Sequence, residues 1–132
     1  MNQQLNAITI AAKDVVKLKK FYCEVFKWTV LTENESVVMF SLKSAVLTLC
    51  DKTLFNEYSG NTGNLKGRSV YFTVNLSSQN EVDKTLERLE ASGVEIIKPA
   101  EQTFWGGYAG FVADPENNVW EICYNPFPAT WA

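Results

Sequence analysis

A chain of 132 residues, 46% hydrophobic and 20% charged, has the size and apolar content of one globular domain with a real core. Its formal charge of −3, with no basic run interleaved with aromatics, speaks against nucleic acid or an anionic membrane surface as a partner. The apolar runs fall short of the ~20 residues a bilayer span needs. The polar start Met1-Asn2-Gln3-Gln4 shows no signal peptide, so no membrane association and a cytoplasmic location are expected.

In chain order, Leu5 to Ala12 is apolar and β-branched at its centre and reads as a strand. Asp14 follows as a helix cap, its carboxylate placed to accept the free N–H groups of the first turn. Val15, Leu18, Phe21, Tyr22 and Val25 recur at helical spacing and predict one buried stripe. Three short strands are predicted next, over 28–32, 37–42 and 45–51, joined by polar turns at Asn34-Glu35 and Lys43-Ser44. Residues 55–67, polar with Gly and Asn, read as a link between halves.

The second half repeats the order. A strand is predicted over 69–75. Ser78 and Glu81 then make an S-x-x-E capping box, and Val82, Leu86 and Leu89 supply the apolar stripe of a helix that Gly93 stops. Strands follow over 94–98, 108–113 and 119–124. Asp14 overlays on Gln79, 65 residues later, and Ala45–Cys50 overlays on Asn118–Cys123, 73 residues later. The growing offset places an insertion in the second half, at Pro99 to Gly107. The reading is an α+β fold of two tandem βαβββ modules, residues 1–54 and 68–126, forming curved mixed sheets around a small-molecule cavity, with a tail over 127–132. Cys23, Cys50 and Cys123 form no CxxC and sit among apolar neighbours, as buried structural thiols do.

The segment Phe104 to Ile122 is the most informative (FWGGYAGFVADPENNVWEI). Pro115 presets φ for a turn, Asp114 can accept the turn's N–H groups, and Asn117 or Asn118 tolerates the left-handed region. This D-P-x-x-N turn, leading into a W-E-hydrophobic strand, closely resembles the C-terminal signature of the glyoxalase/bleomycin resistance/extradiol dioxygenase superfamily, the vicinal oxygen chelate fold. The first half agrees. Ile8–Asp14 and Phe21-Tyr22-Cys23-Glu24-Val25-Phe26-Lys27-Trp28 resemble that family's first strand and its F-Y-x-x-x-h-G-W helix end, with Lys27 where glycine is usual.

The resemblance implies four metal-ligand positions, two in the first strands and two in the closing strands. They map to Ala7, Thr48, Ser69 and Glu121. Only Glu121 has strong ligand chemistry. Alanine has no donor, hydroxyls bind transition metals poorly, and the chain contains no histidine. A zinc, nickel or iron site needs about three protein ligands at least, so the expectation is no metal and no cofactor.

Glu121 is the one candidate catalytic residue, as a general base. The competing reading makes it a leftover ligand paired with Arg68 or a backbone N–H. Thr48, Ser69 and Glu121 are expected to line the pocket. Trp105 and Tyr108, beside Gly106 and Gly107, either close over a ligand or pack on the core, and Phe55 and Tyr58 share that ambiguity. Alternation along the last strand sets Trp120 opposite Glu121, beneath a helix.

Two functions stay open. One is a metal-independent binding protein that sequesters an aromatic or antibiotic-like compound, similar to the bleomycin-resistance branch. The other is a lyase or isomerase that uses Glu121 as base. The resemblance implies a homodimer in either case.

Overall fold

The computed structural model describes residues 3, 5–59 and 70–127. The chain divides into two compact units, residues 1–68 and 69–132. Ser69 and Arg68, both singled out above, lie outside the described residues, as do 60–67 and the tail from 128.

The first unit opens with β1 (Ala7–Ala12), and α1 (Val15–Glu24) follows. Asp14 caps α1 as its sequence position predicts: Oδ1 accepts from the Lys17 N–H at 3.0 Å. The helix buries Val15, Leu18, Phe21 and Tyr22. Next come β2 (Thr32–Glu33), β3 (Val37–Ser41) and β4 (Val46–Asp51), giving a sheet of order β1-β4-β3-β2. The β1–β4 pair is parallel and the other pairs are antiparallel, so the sheet is mixed. Ile10, Leu47, Leu49, Val38 and Phe40 form its buried core. Tyr22 brings α1 to that face by its ring contact with Phe40 at 6.0 Å.

Two expectations in this unit are revised. The predicted strand over 28–32 reduces to its last residue, Thr32, in a strand of two. Trp28 instead stacks on Tyr22 at 5.6 Å and meets Phe26 edge-on at 5.0 Å, so its ring plugs the core rather than extending a sheet. The supposed link begins as a helix, α2 (Lys52–Ser59). Asp51 starts it, Oδ2 accepting from the N–H groups of Thr53 (3.0 Å) and Leu54 (3.3 Å).

The second unit has β5 (Phe72–Leu76), α3 (Gln79–Ala91), β6 (Glu95–Gln102), β7 (Tyr108–Ala113) and β8 (Val119–Tyr124). Its sheet order, β5-β8-β7-β6, repeats the first, again with one parallel pair. Ser78 caps α3 by accepting from the Glu81 N–H at 3.1 Å. Gly93 takes φ +86° just past the helix end, the left-handed turn that glycine permits. The true equivalents are therefore the caps Asp14 and Ser78, 64 residues apart rather than 65.

The insertion falls within β6 and the turn after it. This strand runs eight residues against two for β2, carries Pro99, and slips register twice against β7. Proline is tolerated there because β6 is an edge strand. Gly110 of β7 is a close approach: a Cβ would stand 2.6 Å from Leu86 Cδ1 of α3 and 3.0 Å from the Ala100 amide nitrogen. No helix among the described residues is long and apolar enough to cross a membrane.

Candidate functional site

The turn ahead of β8 fixes how that strand presents its side chains. Asp114 is buried, and its Oδ1 accepts from the N–H groups of Glu116 (2.8 Å) and Asn118 (2.9 Å). Its Oδ2 accepts from Asn118 Nδ2 at 2.7 Å. Asn117 takes φ 64°, as an αL-tolerant residue in this turn should. From there β8 alternates. Trp120 is buried and packs its ring at 4.9 Å from Phe72, and Ile122 lies opposite Gly110, the residue that touches Leu86 of α3. Trp120 and Ile122 thus face the helix. Glu121 faces away from it, the arrangement the alternation predicts.

Glu121 is only 8% exposed, a buried carboxylate. Register sets it between Thr73 of β5 and Phe111 of β7. The Thr73 hydroxyl donates to Glu121 Oε1 at 2.9 Å. Among the described residues no fully buried side-chain polar atom lacks a partner. Oε2 has no partner among the described residues. Tyr71 meets Phe111 edge-on at 5.5 Å and is 57% exposed, so an aromatic pair borders the carboxylate. Cys123, two residues along the same face, is buried, and burial together with the Glu121 charge pushes its thiol up to about 11.

In the first unit the register sets Thr48 between Thr9 of β1 and Met39 of β3. Thr48 is buried, and Ala7, opposite Val46, shares its face two residues away. The cap offset of 64 makes Tyr71, not Ser69, the counterpart of Ala7. The strand neighbour of Glu121 is Thr73.

The remaining predicted residues separate from Glu121. Tyr108 lies on the helix face: its hydroxyl donates to Asp83 Oδ1 of α3 at 2.6 Å, a bond that raises the phenol above its ordinary pKa. It ties β7 to α3. Trp105 sits in the turn between β6 and β7, which Thr103 closes by accepting from the Gly107 N–H at 2.7 Å. The indole lies over Gly107, where a Cβ would collide with it. Phe55 is half-buried on α2, whereas Tyr58 is 91% exposed. Thr73, Tyr71 and Phe111 were missed. The alternation of 71–75 places Tyr71, Thr73 and Asn75 on one face, and only the pairing of β5 with β8 shows that this face is Glu121's.

Among the described residues, the donors around Glu121 and Thr48 are poor transition-metal ligands. The strand neighbours of Glu121 are a hydroxyl and a phenyl ring, and those of Thr48 are a hydroxyl and a thioether. Among the described residues no group of three or more His, Cys, Asp or Glu side chains is placed to hold an ion. A thiol held near 11 is also a poor source of thiolate.

Comparison with known proteins gives a consistent picture. A family model described as Glyoxalase/Bleomycin resistance protein/Dioxygenase superfamily matches residues 4–122. Among solved structures, a glyoxalase-related enzyme from Fulvimarina pelagi is 30% identical, with 95% of this chain and 90% of that one covered and a TM-score of 0.86. A glyoxalase/bleomycin resistance protein/dioxygenase from Nocardioides is 22% identical over 98% and 91%, with a TM-score of 0.80. A lactoylglutathione lyase from Agrobacterium tumefaciens is 20% identical over 94% and 95%, with a TM-score of 0.76. No curated protein matches the chain significantly.

Proposed function

Because the chain belongs to the glyoxalase/bleomycin resistance protein/dioxygenase superfamily, we propose that it binds a small organic molecule without a metal ion and sequesters it rather than transforming it. One observation carries the reading. The buried strand carboxylate Glu121 has a hydroxyl and an aromatic ring as strand neighbours, where an ion would need further donors. Such surroundings suit an organic ligand held by ring contacts and a few hydrogen bonds. The protein acts in the cytoplasm as a homodimer in this reading.

A second reading rests on the geometry of Glu121 itself. Thr73 holds Oε1 and orients the carboxylate, and Oε2 is left to take a proton from a bound substrate. That is the arrangement of a metal-free lyase or isomerase.

Native mass spectrometry of the purified protein separates the outcomes. Binding predicts a dimer that carries a small organic molecule, or accepts one from a compound library, with no metal adduct. A ligand at about 100 times its Kd would also stabilise the fold by about 2.7 kcal/mol in thermal unfolding. A stoichiometric transition metal would overturn the proposal. Turnover of a bound compound that Glu121→Gln abolishes, with the compound still bound, would replace it with the second reading.

A further inference from the structure

We propose that the ligand taken at Glu121 is an organic cation, a protonated amine or guanidinium joined to an aromatic or apolar body. The inference rests on the small-molecule reading above and specifies the chemistry of that ligand. Three independent observations converge on it.

The first is the carboxylate. Glu121 is more than nine-tenths buried, its Oε1 is held by Thr73, and Oε2 has no described partner. A buried carboxylate is costly without a compensating donor. A neutral hydroxyl meets part of that need, and a ligand N–H bearing positive charge meets it best. The second is the ring pair. Phe111 is the direct strand neighbour of Glu121, and Tyr71 packs edge-on against it. Facing side chains on adjacent strands are about 5 Å apart, so one ligand can touch the carboxylate and a ring face together. A carboxylate beside aromatic faces favours a cation by charge and by ring quadrupole at once.

The third observation is the field. Residues 69–132 hold nine acidic side chains and three basic ones, Lys84, Arg88 and Lys98, a net of −6 in a chain whose total is −3. The first unit therefore carries +3, so the negative potential belongs to the unit that contains Glu121. Such a field raises the local concentration of cations and speeds their arrival. Lys98, opposite Phe111 in register, is the cation on that sheet, and its Nζ lies 2.7 Å from Glu101. It is more than half exposed, so it stays in water beside its own partner instead of neutralising Glu121.

The test uses three probes of matched shape: benzylammonium, neutral benzyl alcohol and anionic benzoate. Each is titrated into the full-length protein, and the backbone amide resonances of Thr73, Phe111 and Glu121 are followed. Benzylammonium should move these amides, bind more weakly as salt is raised, and lose at least about tenfold in affinity in Glu121→Gln. Phe111→Leu, which leaves the carboxylate intact, should also weaken it and guards against misfolding of the first variant. If benzyl alcohol binds at these amides as tightly as benzylammonium, the cation inference is wrong and the small-molecule site stands. If none of the three moves them, both fail. If benzylammonium moves only exposed acidic positions such as Glu87, the site is not the carboxylate proposed.

Discussion

Replacing Thr73 by valine removes one oxygen and keeps the shape of the side chain. Both residues are β-branched, so the strand itself is indifferent to the change. What is lost is the 2.9 Å hydrogen bond to Glu121 Oε1, which leaves a buried carboxylate short of a donor. Hydrogen bonds to charged groups contribute about 1.5–3 kcal/mol. Thr73 is itself exposed, so water can partly replace its hydroxyl, and the lower end applies, about 1.5 kcal/mol. For a chain of 132 residues that corresponds to a fall in Tm of about 4–6 °C. Urea denaturation of the wild type, Thr73→Val and Thr73→Ser would measure it, with serine restoring most of the loss. A valine variant as stable as the wild type, or a serine variant no better than valine, would refute the claim that this hydroxyl supports Glu121.

Other sites give sharper signs. Lys27 takes φ 64°, a left-handed conformation that glycine adopts without strain; Lys27→Gly removes about 1–2 kcal/mol of left-handed strain and adds about 0.5–1 kcal/mol of unfolded-chain entropy, so calorimetry should show a small net rise in Tm. Gly110→Ala drives a methyl against Leu86 and the β6 backbone and should cost about 1–3 kcal/mol in denaturant unfolding. The Cys123 thiol rises from 9.0 to about 11 in the fold. A raised folded pKa favours the native state fully below the unfolded value, so this stabilisation is present below pH 9 and lost as pH climbs towards 11. Unfolding followed across that range should show the decline, and Cys123→Ala should flatten it. At pH 8 iodoacetamide should label half-exposed Cys23 well before Cys123.

Much of this fold could be read from local chemistry. Asp14 and Ser78 cap the helices they precede, the predicted apolar stripes are buried except for Val25, half-buried just past the end of α1, and β8 turns Trp120 inward and Glu121 away. These are signals a single element carries by itself. The misreadings arose where tertiary context decides. Trp28 has strand propensity, yet its ring is worth more against Tyr22 and Phe26 than in a ladder. Residues 55–59 look like a link by composition, while the cap that starts α2 is Asp51, the last residue of the preceding strand. At the site, Glu121 was visible as the lone carboxylate of a closing strand. Its partner Thr73 was not, because strand register depends on pairing and the offset between halves was misjudged by one residue at the cap. The Tyr108–Asp83 bond was hidden for a related reason, since it joins elements 25 residues apart.

The central claim is that Glu121 serves an organic ligand and not a metal ion. Elemental analysis of protein purified from medium supplemented with zinc, iron, nickel and manganese tests it most directly. The account predicts transition metal far below one equivalent per chain, with no difference between wild type and Glu121→Gln. One equivalent of a single metal in the wild type, lost in Glu121→Gln, would contradict it.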